Sequence, residues 1–146
     1  MSEHLKLENQ ICFKYYVISK EIIRKYKPIL DPLGLTYTGY ITMLVLWEKD
    51  GLSIKDLSEH LYLDSGTLTP LLKSLEKKGL ITRIRSNKDE RVVVVHLTKA
   101  GKELKKRAEK VPHALVTSIF PGEVDEQAMK EHLSALDQVM ATLVKS

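Results

Sequence analysis

Apolar positions recur at helical spacing over the first thirty residues of this chain. One stripe is Leu7, Ile11, Tyr15, Ile18, Ile22 and Ile29; a second is Cys12, Tyr16, Ser19, Ile23, Tyr26 and Leu30. Intervals of three and four predict a helix from about Glu3 to Leu30. Two stripes mean two buried faces, one more than a lone surface helix needs. "DPLG" (Asp31 to Gly34) breaks the run. Thr36 then caps "YTGYITMLVLWEK", a nearly all-apolar helix that belongs in the core and ends by Gly51.

The pattern then shortens. Ser53 opens "SIKDLSEHLYL", with Asp56 three residues on as an approximate capping box. Asp64 opens "DSGTLTPLLKSLEKKG", and Gly79 closes it. Pro70 inside that helix removes one backbone hydrogen bond and invites a bend. Two short helices joined by a tight turn read as helix-turn-helix. "LITRIR" and "VVVVHL" follow, β-branched runs around the polar "SNKDER", so a β-hairpin is expected, placed as a wing. Thr98 caps "KAGKELKKRAEKV", Pro112 interrupts it, and Pro121-Gly122 marks a turn. A last helix is expected over Glu123 to Lys145. Its Met129, Leu133, Leu136, Met140 and Leu143 form a heptad seam. The expected fold is mainly α with a β-hairpin wing: a winged helix-turn-helix core over 36–110, with dimerisation helices at 1–30 and 111–146.

Composition narrows the function classes. At 43% hydrophobic and 29% charged, the chain can bury a core as one domain. It has no run of about 20 apolar residues, so no membrane partner is expected. "MSEHLKLENQ" lacks the basic-then-apolar pattern of a signal peptide. A single cysteine forms no internal disulfide, which suits a reducing cytoplasm. The histidines are scattered without CxxC or HExxH spacing, so no metal is expected. Walker and GxGxxG loops are absent, so no nucleotide cofactor is expected either. A net charge of +4 permits a polyanionic partner without demanding one.

The local charge is more informative. Lys73, Lys77, Lys78, Arg83, Arg85, Lys88 and Arg91 face only Glu76, Asp89 and Glu90 in the same stretch. Such an excess alone is more often a solvated face. On a helix-turn-helix followed by a wing, it neutralises phosphates. Ser65, Thr67 and Thr69 are short and polar at the start of the second helix, where base readout occurs. Gly66 keeps that end slim. Asp64 reads as a cap rather than a contact. Arg85 and Lys88 read as phosphate contacts, with Lys73 a further candidate. A hairpin-borne Arg91 can enter a narrow minor groove.

The chain resembles MarR-type winged-helix transcription regulators over nearly its whole length. "LDSGTLTPLLKSLEKKGLITR" and "RSNKDERVVVVHLTKAG" carry the resemblance, with helix, wing and Asp-Glu-Arg tip in family order. "LENQICF" followed by "YKPILDPLGLTYTGY" is similar to the one-cysteine, organic hydroperoxide-sensing branch. The resemblance implies a homodimer, a pseudo-palindromic double-stranded DNA operator and a thiol switch at Cys12. It implies the minor-groove role for Arg91, with Asp89 orienting it. It also implies that Tyr26 and Tyr37 of a second copy lean toward the Cys12 sulfur.

Spacing bears on that last point. Tyr26 lies fourteen residues after Cys12, on the same side of a helix but about 21 Å away along its axis. The two can meet only across a dimer. Tyr16, one turn from Cys12, would line the pocket, walled by Phe13 and Ile23. In a helix starting at Glu3, Cys12 lies past the first turn and gains little from the helix dipole. A thiolate attacking a peroxide gives a sulfenic acid. No second cysteine resolves it, so a low-molecular-weight thiol forming a mixed disulfide on Cys12 is the expected partner. Other readings are a repressor induced by a small phenolic or antibiotic-like ligand in the dimer cleft, a thiol peroxidase, and a winged helix used only for protein docking. The peroxidase lacks a Pro- and Thr-framed cysteine loop with a partner Arg.

Overall fold

The structure, a computed structural model, describes residues 2–120 and 122–144. The helices are α1 (Ile11–Leu30), α2 (Tyr37–Glu48), α3 (Ile54–Leu61), α4 (Ser65–Lys77), α5 (Lys99–Ala108), α6 (Val111–Ile119) and α7 (Glu126–Leu143). The strands are β1 (Leu52–Ser53), β2 (Ile81–Arg85) and β3 (Val93–Leu97). The sheet is antiparallel in the order β1-β3-β2. Arg83 pairs with Val95 in the hairpin, and Leu52 pairs with Val95 from the other side. The expected winged helix-turn-helix is present. The third strand is an addition that the sequence reading lacked, because two residues show no alternation.

Local chemistry starts the helices where the polar residues fall. Thr36, Ser53, Asp64 and Thr98 each accept a backbone N–H two or three positions into the helix that follows. Gly79 takes a left-handed φ of 77° after α4, where a β-carbon would be strained. Helix α4 runs through Pro70, and the Gly66 carbonyl loses its intrahelical donor there. Pro112 falls in the first turn of α6, where a missing N–H is harmless, so it starts a helix rather than interrupting one.

The chain ends depart from expectation. Residues Glu3–Leu5 and Leu7–Asn9 form two 3-10 turns, and α1 begins only at Ile11. The cause is local. Asn9 Nδ2 donates to the Glu3 carbonyl at 2.7 Å, and Gln10 Nε2 donates to those of His4 (2.6 Å) and Lys6 (2.9 Å). These bonds hold Lys6 and Gln10 in extended backbone. Cys12 is therefore in the first turn of α1, not past it. The last helix starts at Glu126, not Glu123, because Asp125 caps it through the N–H groups of Gln127 and Ala128. Pro121 and Lys145 lie outside the described residues.

The core gathers Leu30, Leu35, Tyr40, Met43 and Leu46 with Leu57, Leu68, Leu72, Leu75, Ile81 and Val95. The two stripes of α1 are buried only toward its C-terminal end; Ile11, Tyr15, Ile18 and Ile23 are exposed, as are Leu133, Met140 and Leu143 of α7. The wing is anchored at its base. Thr98 donates its N–H to the Leu80 carbonyl at 3.0 Å and its hydroxyl to that of Gly79 at 2.6 Å. Leu97 N–H donates to Asp50 Oδ1 at 2.9 Å, and Trp47 Nε1 to the Gly101 carbonyl at 2.8 Å. A β-carbon at Gly101 would overlap the Leu80 carbonyl oxygen. Gly101→Ala should therefore destabilise the protein by about 2–3 kcal/mol, the scale of overpacking against a fixed backbone. Urea unfolding with an unchanged midpoint would refute this.

Candidate nucleic-acid interface and thiol site

The first surface is built by α3, α4 and the wing. Leu68, Leu72 and Leu75 bury one face of α4, which leaves its N-terminal end outward. There Ser65, Gly66 and Thr67 are exposed and Thr69 is half-buried. Asp64 Oδ1 accepts the Thr67 N–H at 2.7 Å, and that bond holds the carboxyl below the usual carboxylate range. The carboxylate is thus occupied as a cap, as its position in the sequence predicts. A groove of about 660 Å³ runs between this end of α4 and the wing, lined by Ser53, Lys55, Ser58, Ser65 and Arg91 among others.

The wing tip holds its arginine ready. Arg91 Nε and Nη2 donate to the two Asp89 carboxylate oxygens at 3.1 and 3.2 Å, and Arg91 N–H donates to Oδ1 at 3.0 Å. The Arg91 side chain is nonetheless 91% exposed. Its guanidinium lowers the Asp89 carboxyl from its ordinary range through these bonds. Lys73 and Lys88 are exposed. Arg85, expected as a phosphate contact, is exposed as well, and its Nη1 donates to the Glu90 carbonyl at 2.9 Å within the wing.

Two of the cations read as part of the basic face are committed to the protein instead. Lys78 Nζ donates to the Gly34 carbonyl at 2.7 Å. Arg83 pairs with Glu76 at 3.0 Å.

The second surface surrounds Cys12, which is exposed. Gln10 precedes it as N-cap, but its side-chain amide is turned to the 3-10 turns and caps no N–H. The free first-turn N–H groups and the positive end of the helix dipole therefore face the thiol's surroundings. The expectation of little dipole contribution assumes a thiol well past the first turn, and Cys12 stands inside it. Phe13, Tyr16 and Ile23 are all exposed; Phe13 lines a groove of about 830 Å³ with Leu7, Val17 and Ile18, while Tyr16 and Ile23 do not border it, and Lys20 Nζ lies 5.7 Å from the Tyr16 ring centroid.

Helix α1 is continuous between Cys12 and Tyr26. The two stay about 21 Å apart in one copy, as the rise of a helix requires. Tyr26 packs against Tyr37 and Tyr40 of α2 with the rings tilted by 44° and 43°, their centroids 4.7 and 5.7 Å away. Burial, and then the neighbouring Tyr37 and Tyr40, push Tyr26 up to about 12. Burial likewise raises Tyr37. Both phenols keep their protons near neutral pH and remain hydrogen-bond donors.

Residues 24–108 match the family model of the transcriptional regulator SarA/Rot. The chain belongs to this family of MarR-like winged-helix regulators. The regulator is 46% identical to the organic hydroperoxide resistance transcriptional regulator of Bacillus subtilis over 97% of its own length and 94% of that protein's. It is 49% identical to the HTH-type transcriptional regulator SarZ of Staphylococcus saprophyticus, covering 82% of each chain. Among solved structures, reduced AbfR bound to DNA superposes with a TM-score of 0.79 at 32% identity, covering 98% of both chains. Overoxidized AbfR bound to DNA superposes at 0.76 with 33% identity, covering 97% of this chain and 98% of that one.

Sequence reasoning missed Lys55 and Ser58 on α3 and the Glu76–Arg83 pair. Lys55 stands at the start of the first helix of the helix-turn-helix, a signal present in the sequence. The ion pair joins residues seven apart across a helix end and a turn, which no periodicity reports. Among the described residues, no His, Cys, Asp and Glu are grouped to hold a metal, and no single helix is long and apolar enough to cross a membrane.

The tyrosine cluster has a pH signature. Folding raises Tyr26 above its ordinary value of 10.0, so it favours the protonated phenol. That contribution is complete below pH 10 and is lost as pH rises toward about 12. Thermal melts should show stability falling across this window, and Tyr26→Phe should make the fall shallower. Equal slopes for the two proteins would contradict the assignment.

Proposed function

We propose that this regulator binds a pseudo-palindromic DNA operator as a homodimer, represses from it, and releases it when an organic hydroperoxide oxidises Cys12. One observation carries the reading: the only cysteine of the chain is exposed in the first turn of α1, in a sequence 46% identical to a hydroperoxide resistance regulator. Residues 1–30 and 111–146 form the dimer, and 36–110 read DNA. The exposed apolar positions of α1 and α7 support this, because a lone protomer leaves them in water.

On the DNA, Ser65, Thr67 and Thr69 reach base edges. Lys73, Arg85 and Lys88 meet phosphates, and Arg91, oriented by Asp89, enters the minor groove. At the sensor, the Cys12 thiolate attacks one peroxide oxygen. The O–O bond breaks, the S–O bond forms, and the alkoxide takes a proton and leaves as the alcohol. Sulfur is oxidised to sulfenic acid and the peroxide is reduced. A low-molecular-weight thiol then attacks that sulfur and expels water, which leaves a mixed disulfide. Tyr26 and Tyr37 of the second copy donate hydrogen bonds to the sulfur and move when it is modified, and Tyr16 lines the pocket beside the thiol. The DNA-competent population falls because the separation of the two recognition helices no longer matches the fixed spacing of the operator half-sites. The protein is a sensor rather than a catalyst, consumed once per oxidation, and acts in the cytoplasm where its DNA lies.

Arg91→Ala should weaken operator binding and reduce the salt slope by about one unit, as loss of one groove cation does. Anisotropy titrations at several salt concentrations that overlay those of the native protein would remove Arg91 from the interface. Cys12→Ser should bind the operator as the native protein does and keep it in the presence of cumene hydroperoxide and thiol. A gel shift paired with protein mass spectrometry decides this. Peroxide-driven release from Cys12→Ser would end the thiol-switch reading and favour a ligand in the dimer cleft.

A further inference from the structure

Arg83 lies inside the basic run, yet it is turned into the protein. Its Nη2 donates to Glu76 Oε1 at 3.0 Å, and its backbone N–H donates to Glu76 Oε2 at 3.3 Å. The two Glu76 oxygens thus grip one residue of β2 twice. Glu76 stands near the C-terminal end of α4, one residue after buried Leu75. Arg83 stands mid-strand, two residues after buried Ile81 and opposite buried Val95. β2 is an edge strand. An edge strand has one row of N–H groups with no strand partner, and Glu76 takes that of Arg83.

The Arg83 side chain is only 23% exposed, against 91% for Arg91. Its Nε is buried without a partner, so the guanidinium is held for the Glu76 contact even though one donor goes unused. These bonds also lower the Glu76 carboxyl from its ordinary range. A partly buried, doubly bonded pair keeps one geometry, unlike a solvated surface ion pair.

Building on the DNA-reading function proposed above, we propose that Glu76 and Arg83 are positioning residues: the pair fixes the wing at a set angle to the recognition helix α4, so that Arg91 and the α4 N-terminus meet adjacent grooves together. Neither residue touches DNA. The proposal separates Arg83 from its cationic neighbours, and it assigns DNA recognition to an acid. An acid on a DNA-binding face weakens phosphate attraction by simple charge, so removing it should strengthen binding to any duplex. Positioning predicts the reverse for the operator alone.

The test uses the full chain and two duplexes: an operator obtained by selection against the native protein, and a scrambled duplex of equal length. Fluorescence anisotropy over a salt series gives both affinities for the native protein, Glu76→Gln, Arg83→Met and the double variant. The expected result is a fall of about tenfold in the operator-to-scrambled affinity ratio for each variant, the size of one lost base-pair contact. The double variant should be no worse than either single one, because one link is broken in each case. The operator salt slope should stay unchanged in Arg83→Met, since no phosphate contact is lost. A partly unfolded variant lowers both affinities alike and leaves the ratio intact, so the readout is insensitive to simple loss of fold.

An unchanged ratio in Glu76→Gln would overturn the proposal. So would a slope reduced by about one unit in Arg83→Met, which would make Arg83 a phosphate contact. A native protein with a ratio of one would instead remove the DNA-reading function itself, an outcome distinct from failure of the pair alone.

Discussion

The α5 N-terminus packs directly on the backbone of Leu80, with no room for a side chain at Gly101. Much else in the structure depends on this contact. Thr98 spends its N–H and its hydroxyl on the carbonyls of Leu80 and Gly79, so both ends of the hairpin meet at one point. Trp47 reaches across from α2 to the Gly101 carbonyl, and Asp50 takes the Leu97 N–H. The recognition helix ends at this same junction, through Lys78 and Gly79. The wing is thereby one body with the helix-turn-helix, and charges placed on either keep their relative positions.

Much of this arrangement was legible in the sequence because it is local. A threonine, serine or aspartate before an apolar run predicts a helix start, and Thr36, Ser53, Asp64 and Thr98 all perform that task. The hairpin was readable from β-branched runs around a charged turn. What escaped depends on side chains reaching backbone or one another over distance. Asn9 and Gln10 break the first helix through their amides, where apolar spacing alone continues it. The β1 strand exists only because β3 offers it a partner. The Tyr26–Tyr37 pair spans a helix break, and the spacing argument that set Tyr26 apart from Cys12 held while giving no hint of where its ring would go.

The surface around Cys12 and the surface around Arg91 show different physics. The wing arginine is preorganised by a carboxylate two residues away and is solvent-exposed. The thiol stands at a helix start whose cap is diverted elsewhere, among apolar side chains that the protomer leaves open. The first arrangement, the Arg91–Asp89 pair, lies wholly within one copy. Around the other, nothing among the described residues covers the exposed apolar side chains of α1.

Helix α4 contains both a glycine at its second position and a proline at its sixth. Gly66 lowers helix propensity, and Pro70 leaves the Gly66 carbonyl without its helical donor. Leu68 in that same stretch, with Leu72 and Leu75 beyond it, is buried in the core, and Asp64 caps the Thr67 N–H. The opening turn is therefore held by its cap and by the burial of Leu68 rather than by the propensity of its own backbone, so the outward end of α4 owes its helical form to contacts outside itself.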